Sequence, residues 1–338
     1  MGLLCPAVHR SIWRTLVPNE VDVPRLTPTG RFSALRYPGG KGKVAKFVRS
    51  IILRNNLSDG LYVEPYAGGA AIAWELLITG VVRRVQINDI SRPVYSFWNS
   101  VLNRTDDLCE LIENKPVTIS EWDCQKEIFR QHESADELLL GFSFFFLNRT
   151  NRSGILNGGI IGGREQSGDW KTNARYNKRE LISRIRRIAS LRSRIQLTCL
   201  DAVDLVDERA QDWGGKALVY MDPPYFAKGK FLYHNSYKPD DHALVASAVK
   251  GMVDVNWIVS YDDVRPIHDL YENSPWLQYS LGYSARKRMR GREAMFFSDG
   301  LIIPDVPRPL AELHRGNGTS GPNFKPATVR EFFDQPST

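Results

Sequence analysis

The segment Tyr220-Met-Asp-Pro-Pro-Tyr-Phe226 holds the residue types closest to chemistry. An apolar run, Ala217–Met221, ends in the carboxylate of Asp222. Pro223 and Pro224 stop a strand, fix the backbone and leave the Pro223 carbonyl without a ladder partner. Tyr225 adds an aromatic ring. A carboxylate, a rigid carbonyl and a ring at one strand end suit a planar group that bears an amino donor. Both oxygens accept from the amine while the ring stacks on the plane. A plain strand end followed by a turn uses the same residues.

Two further segments have the composition of a nucleotide pocket. In Tyr62-Val-Glu-Pro-Tyr-Ala-Gly-Gly-Ala70, a strand passes through a glycine turn into a helix. Gly68 and Gly69 let a ligand approach the backbone and the helix N-terminus. Glu64, at the strand end, can bond an ammonium or a hydroxyl. The turn lacks the G-x-G-x-x-G spacing of a dinucleotide site. Asn88-Asp89 closes the next strand. There Asp89 either takes the hydroxyls of a ribose or caps the following helix. In Arg36-Tyr-Pro-Gly-Gly-Lys-Gly-Lys43, Gly39 and Gly40 precede Lys41 and a helix, an arrangement that nests an anion, carboxylate or phosphate. The Walker A pattern is not met, and a basic turn is the simpler alternative.

Positioning these residues requires a sheet whose strands end together. Short apolar runs alternate with helical patterns: strands at 61–64, 84–88, 195–199, 217–221 and 257–260, and helices at 69–79, 92–103, 240–252 and 264–271. A late strand is expected at 293–298. This rhythm predicts an α/β fold with a mostly parallel sheet. It is interrupted by helical patterns at 105–113, 121–132, 136–147 and 178–191, and by a Gly/Asn-rich loop between the last two. The expected organisation is an extension at 1–30, a catalytic domain from 31–91 and 193–303, an inserted helical subdomain at 92–192, and a loose Pro/Gly-rich tail at 304–338.

The 338 residues carry a net charge of +7, a pI near 9.2 and a 42% apolar share, values ordinary for a globular enzyme. The basic residues cluster. Lys171 to Arg194 holds nine cations, including Lys171, Arg184, Arg186 and Arg187, against the single acid Glu180. Arg286 to Arg292 adds five, among them Arg288 and Arg290. Such clusters are solvated faces or a nucleic-acid footprint. Lys228 and Lys230, in the segment 227–239, belong to an expected lid beside DNA. The four cysteines show no disulfide or metal spacing, and the six histidines show no zinc pattern, so no metal is expected and the compartment reads as reducing, the cytoplasm. No apolar stretch reaches membrane-span length, and no signal peptide is evident.

In this order, Gly39-Gly40-Lys41, Glu64–Gly69, Asn88-Asp89-Ile90, Phe144-Phe-Phe-Leu-Asn-Arg-Thr150 and Asp222–Tyr225 resemble the motifs of Dam-type adenine-specific DNA methyltransferases over residues 33–298. The resemblance implies a Rossmann-like methyltransferase sheet and S-adenosylmethionine as methyl donor, with S-adenosylhomocysteine as product. It assigns Tyr37, Lys41, Asp89 and Asp222 to donor binding. Gly39, Gly40, Glu64, Tyr66, Gly68, Gly69 and Asp201 would shape the same pocket. Catalysis would rest on Asp222, Pro223, Pro224 and Tyr225, with the target adenine flipped out of double-stranded DNA. The insert, with Asn148, Arg149 and Arg152 in the loop Asn148–Asn157, would recognise the target. A cognate restriction endonuclease or other defence component is a further expected partner. The chain departs from the family in residues 1–30, in Ser260-Tyr-Asp-Asp263 where Ser-Asn-His-Asp is common, and in Ser153-Gly154 where Asn-Gly is common. A cytosine-amine, RNA or protein methylase, or a DNA-binding module without activity, are the competing readings.

Overall fold

Strand β4 (Ala217–Met221) shows how the sheet is buried. Leu218 and Tyr220 enter one apolar cluster; Ala217, Val219 and Met221 enter another on the opposite face. A strand covered on both faces reads as a continuous apolar run, which is why it is visible in sequence. The computed structural model describes residues 32–36, 44–227, 237–282, 290–307 and 310–317. The other strands are β1 (Leu61–Glu64), β2 (Arg84–Asn88), β3 (Ile195–Thr198), β5 (Asn256–Asp262), β6 (Pro275–Gly282), β7 (Arg290–Phe297) and β8 (Ala311–Asn317).

The eight strands stand in the order β3-β2-β1-β4-β5-β7-β6-β8. The first five are parallel and the last three run antiparallel. From β1 the chain steps outward to β2 and β3, then returns to the other side of β1 as β4. The strand order therefore reverses between β1 and β4. In an open α/β sheet a ligand crevice opens outside the carboxyl ends of the strands at that reversal.

One face is covered by α8 (Ala202–Trp213), α9 (Pro239–Gly251) and α10 (Arg265–Leu270). The other carries α1 (Ala45–Arg54), α2 (Ala71–Ile78), α3 (Arg92–Asn103), α4 (Thr105–Asn114), α5 (Ile119–Arg130), α6 (Glu137–Thr150) and α7 (Lys178–Ala189). The helical interruption at 92–192 is present, but its helices close on no core of their own. Phe97, Trp98, Phe145 and Ile185 join one cluster with Phe47, Trp74 and the sheet residues Tyr62 and Tyr220. Helix α6 is buried nearly all round from Leu140 to Thr150. It crosses α3 so closely that a Cβ on Gly141 would lie 2.6 Å from the Ser96 carbonyl oxygen.

Three departures from expectation stand out. Helix α8 and strand β6 had no sequence expectation. The segment after 303, expected as a loose tail, returns to the sheet as β8, antiparallel to β6. Its Ala311–His314 face is exposed, the composition of an edge strand rather than a buried one. The extension 1–30 lies outside the described residues.

Candidate active site

The carboxyl ends of β1, β2 and β4 each carry an acid into the crevice. From Glu64 the chain turns through Pro65–Gly69 into α2. Gly68 holds φ 45°, and Ala70, at the start of α2, holds φ 47°, a strained value for a residue with a Cβ. Glu64 is buried, and its Oε2 accepts from the Ala73 amide at 3.2 Å in the first turn of α2. The Gly68 carbonyl accepts from Trp98 Nε1 at 2.8 Å, and the Gly69 carbonyl accepts from Ser33 Oγ at 2.6 Å. The turn is thus clamped from two sides.

Asn88, fully buried, donates to the carbonyls of Pro65 (3.0 Å) and Leu200 (2.9 Å) and accepts from Thr198 Oγ1 and the Leu200 amide. It ties the ends of β1, β2 and β3 together. Asp89 follows. Its Oδ2 accepts from Gly68 N–H at 2.8 Å and its Oδ1 from Ser91 N–H at 2.9 Å. Burial pushes its carboxyl up to about 6, and these two amide bonds pull the other way. Asp89 thus braces the entry to α3 through Ser91 and the glycine turn through Gly68.

One step beyond the last paired residues Met221 and Val259, Asp222 meets strand β5. Its Oδ1 accepts from Ser260 Oγ at 2.9 Å, and the Ser260 oxygen accepts from Tyr220 OH at 3.0 Å. Ser260 thus links Tyr220 to the carboxylate in a short relay of bonds. Asp262, 2% exposed, accepts from Phe226 N–H and Ala227 N–H, both at 2.8 Å. The backbone leaving Asp-Pro-Pro-Tyr is therefore held by one carboxylate. Tyr225 is buried.

Aromatic rings line the neighbouring wall. Tyr66 OH and Tyr237 OH lie 3.1 Å apart, their rings edge to face. His242 packs against Phe226 and Tyr237, and its Nδ1 lies 3.0 Å from Tyr261 OH. Burial holds His242 below its usual pKa. Burial pushes the Tyr237 hydroxyl up, its bond with Tyr66 pulls it down, and the charges of Asp201, Asp241 and Asp89 raise it. Asp201 caps α8 through the Val203 amide at 2.8 Å. Glu64, Tyr66, Gly68, Gly69 and Asp222 lie at the carboxyl ends of β1 and β4, where the strand order reverses, with Asp89 after β2 and Asp201 after β3. Tyr37, Gly39, Gly40 and Lys41 lie outside the described residues, as do Lys228, Lys230 and Arg288 and the side chain of Arg290.

The residues expected at DNA divide. Asn148 is 2% exposed, and its amide accepts from Arg36 N–H and donates to the carbonyls of Arg36 and Gly154, so it staples α6 to the segment before Gly39. Arg184 is largely turned inward, donating to the Ser33 carbonyl at 3.0 Å and pairing with Glu180. Arg149 donates to the Arg175 carbonyl; burial, with Arg36 and Arg184 nearby, pushes it down to about 9. Arg152, Lys171 and Arg186 are exposed and Arg187 is half-buried; Arg186 pairs with Asp106 at 3.0 Å. Ser260, Asp262 and Ser33 are the site-building residues that sequence reasoning missed, and the signal for the first two was the Ser260–Asp263 cluster of polar residues at a strand end.

The site is thus an α/β sheet with a glycine turn and a buried acid on one side of its reversal point and Asp-Pro-Pro-Tyr on the other. Residues 37–287 match the description of D12 class N6 adenine-specific DNA methyltransferases, and the chain belongs to that family. It is 25% identical over 224 residues to the Type II methyltransferase M.MjaIII of Methanocaldococcus jannaschii, covering 61% of this chain and 73% of that protein. Among solved structures, the rRNA methyltransferase aviRa from Streptomyces viridochromogenes aligns over 80% of this chain and 92% of its own, with 12% identity and a TM-score of 0.34. Among the described residues no helix is long and apolar enough to cross a membrane.

Proposed function

We propose that the chain methylates the exocyclic amino group of an adenine flipped out of double-stranded DNA, at a specific sequence, with S-adenosylmethionine as donor. The observation that carries this reading is the fixed Asp222 carboxylate facing the reversal point, braced by Ser260 and Tyr220. The donor supplies a methyl group on a sulfonium, which is already a good leaving group.

The residues fit such a donor. Asp89 spends two acceptor positions on Gly68 and Ser91, and a carboxylate has about four, so hydroxyls of a ribose find free lone pairs. Gly68, with positive φ, puts no side chain in the way. Tyr66, in the same turn, pairs with Tyr237 through its hydroxyl. Gly39, Gly40, Lys41 and Tyr37 complete the pocket on the family pattern.

An aromatic amine is a poor nucleophile because its lone pair is delocalised into the ring. Asp222 and the Pro223 carbonyl accept its two hydrogens and turn the lone pair out of the plane. As the nitrogen gains the methyl it must lose one proton, and the Asp222 carboxylate is the base already bonded to it. Positioning and electrostatics supply the rate. Tyr225 stacks on the base, which cannot be reached inside a duplex. Arg152, Lys171, Arg186, Arg187, Lys228, Lys230, Arg288 and Arg290 serve the phosphates, and the helical layer at 92–192 serves target recognition. A cytoplasmic enzyme at the nucleoid, with or without a cognate endonuclease, is the setting this implies. DNA from an expressing strain, digested to nucleosides and weighed, should contain N6-methyladenine above the vector control. Methyl on cytosine alone, or on RNA alone, refutes the reading.

A further inference from the structure

The hydroxyls of Tyr66 and Tyr237 lie 3.1 Å apart and join two parts of the site. Tyr66 stands in the turn after β1. Among the described residues, the other bonds of that turn run to Asn88, Asp89, Trp98 and Ser33. Trp98 belongs to the apolar cluster on one face of the sheet, whereas Tyr66 and Tyr237 pack against the cluster on the other. Tyr237 is itself fixed. Helix α9 begins two residues later at Pro239, and Asp241 Oδ2 closes its first turn by accepting from the Lys238 amide at 2.7 Å. The Tyr237 ring packs on His242, 1% exposed, with ring centres 5.5 Å apart. His242 also packs on Phe226, at 5.2 Å, and its Nδ1 lies 3.0 Å from Tyr261 OH in β5. Phe226 follows Asp-Pro-Pro-Tyr directly, and Asp262 holds its amide and that of Ala227. A series of contacts thus runs from Tyr66 through Tyr237 and His242 to Phe226, from the glycine turn to the end of the catalytic motif.

The two hydroxyls make this more than an aromatic filling. Phenylalanine at both positions would give the same edge-to-face rings, with centres 6.3 Å apart, and would bring no polar atoms into apolar surroundings. Burial pushes both hydroxyls up, so the bond joins two neutral groups. Such a bond is modest in strength and steep in its dependence on geometry. It forms only when the turn and the entry to α9 stand in one relative position. A ligand that settles the turn therefore settles Tyr237 and, through His242, the backbone behind Tyr225.

We propose that Tyr66 and Tyr237 are positioning residues that couple the two halves of the site: a donor at the glycine turn tightens the grip on the target adenine, and the adenine tightens the grip on the donor. This rests on the DNA adenine methylation proposed above. Their part in the reaction is to place, through His242 and Phe226, the motif that carries it. Coupling of this kind is reciprocal, with one factor in both directions.

The test measures that factor with the full chain, S-adenosylhomocysteine as an unreactive donor, and a duplex containing the site mapped from methylated plasmid. At fixed ionic strength, duplex affinity is measured with and without saturating S-adenosylhomocysteine, and S-adenosylhomocysteine affinity with and without saturating duplex. Wild type should show the same factor both ways, above unity. Tyr237→Phe and Tyr66→Phe should each lower it toward one, by about twofold to tenfold, the worth of one uncharged hydrogen bond. The double variant should lower it no further than either single change, because both remove the same bond. The factor compares each variant with itself, so a change in stability or in either separate affinity cancels, and a merely structural role leaves it unmoved. A wild-type factor of one overturns the proposal. So does a wild-type factor retained by Tyr237→Phe. So do losses that add in the double variant, which would mean that the two hydroxyls act through separate contacts. A wild-type chain that places no methyl on adenine refutes the reading of the active site itself, a failure visible before any variant is made, whereas a chain that methylates adenine without coupling refutes this proposal alone.

Discussion

Asp89 offers the sharpest test of the pocket, because its geometry predicts both a magnitude and a pH dependence. Its two oxygens hold the amides of Gly68 and Ser91 at 2.8 and 2.9 Å, and burial leaves the carboxyl at about 6. Hydroxyls of a donor ribose bond to the ionised form. Binding therefore favours deprotonation, and donor affinity should fall as pH drops through about 6, approaching tenfold per pH unit below it. The opposite sign applies to the donor-free fold. A carboxyl raised above its unfolded value adds most to stability at low pH, and that contribution is lost as pH rises through about 6. Asp89→Asn has nearly the same shape but one acceptor oxygen, so it can serve one amide while its own NH2 confronts the other. Losing a charge-assisted bond costs about 1.5–3 kcal/mol, or roughly tenfold to 150-fold in donor affinity at pH 8. The variant should also show a flat affinity between pH 5 and 7. Titration calorimetry with S-adenosylmethionine across that range, at constant ionic strength, measures both. A variant that is weaker yet keeps the step at about pH 6 would show that another group titrates, and Asp89 would then lose its assigned role.

Ser260→Ala removes the donor on Asp222 and should lower single-turnover methyl transfer about tenfold, one hydrogen bond to a charged group, with donor and duplex affinity nearly unchanged and Ser260→Thr restoring much of the rate. A parallel loss of donor affinity would mean that Ser260 only supports the fold. Asn148→Ala empties a buried amide and strands the Arg36 backbone groups; denaturant unfolding should register a loss of about 2–4 kcal/mol, summed over the orphaned groups, and a change in preferred DNA site without that loss would reinstate Asn148 as a base reader. Changing Arg186 and Arg187 to Ala should weaken binding to all duplexes alike and shallow the salt dependence by about one unit per lost phosphate contact. An unchanged slope would leave both residues on a solvated face, where Arg186 already has Asp106 as partner.

The strands of the site were legible where burial wrote them into the chain. Leu61–Glu64, Arg84–Asn88 and Ala217–Met221 have the same ends in sequence and in structure, because a central parallel strand is buried along most of its length and stops where a polar residue reaches the crevice. Strand β8 shows the reverse. It lies at the sheet edge with charged residues facing water, so nothing in Ala311–Asn317 distinguishes it from a tail. Asn148 shows a second limit. Its residue type and its place after an aromatic stretch suit a base reader, but two of its three bonds go to Arg36, 112 residues away, and no local pattern carries such a pairing.

The carboxylates of the site show why single-residue readings of it compete. Glu64 holds the first turn of α2, Asp201 caps α8, Asp262 holds two amides beyond Tyr225, and Asp89 holds Gly68 and Ser91. In sequence, Asp89 looks like either a cap or a ligand. An ionised carboxylate has enough acceptor positions for both, so spending two on the backbone fixes the direction of those left over. The brace is what makes the remaining lone pairs specific. A change to alanine at any of these positions therefore confounds the two roles. The informative variants are those that keep shape and alter one property: Asp89→Asn, which removes charge, and Ser260→Thr, which keeps the hydroxyl.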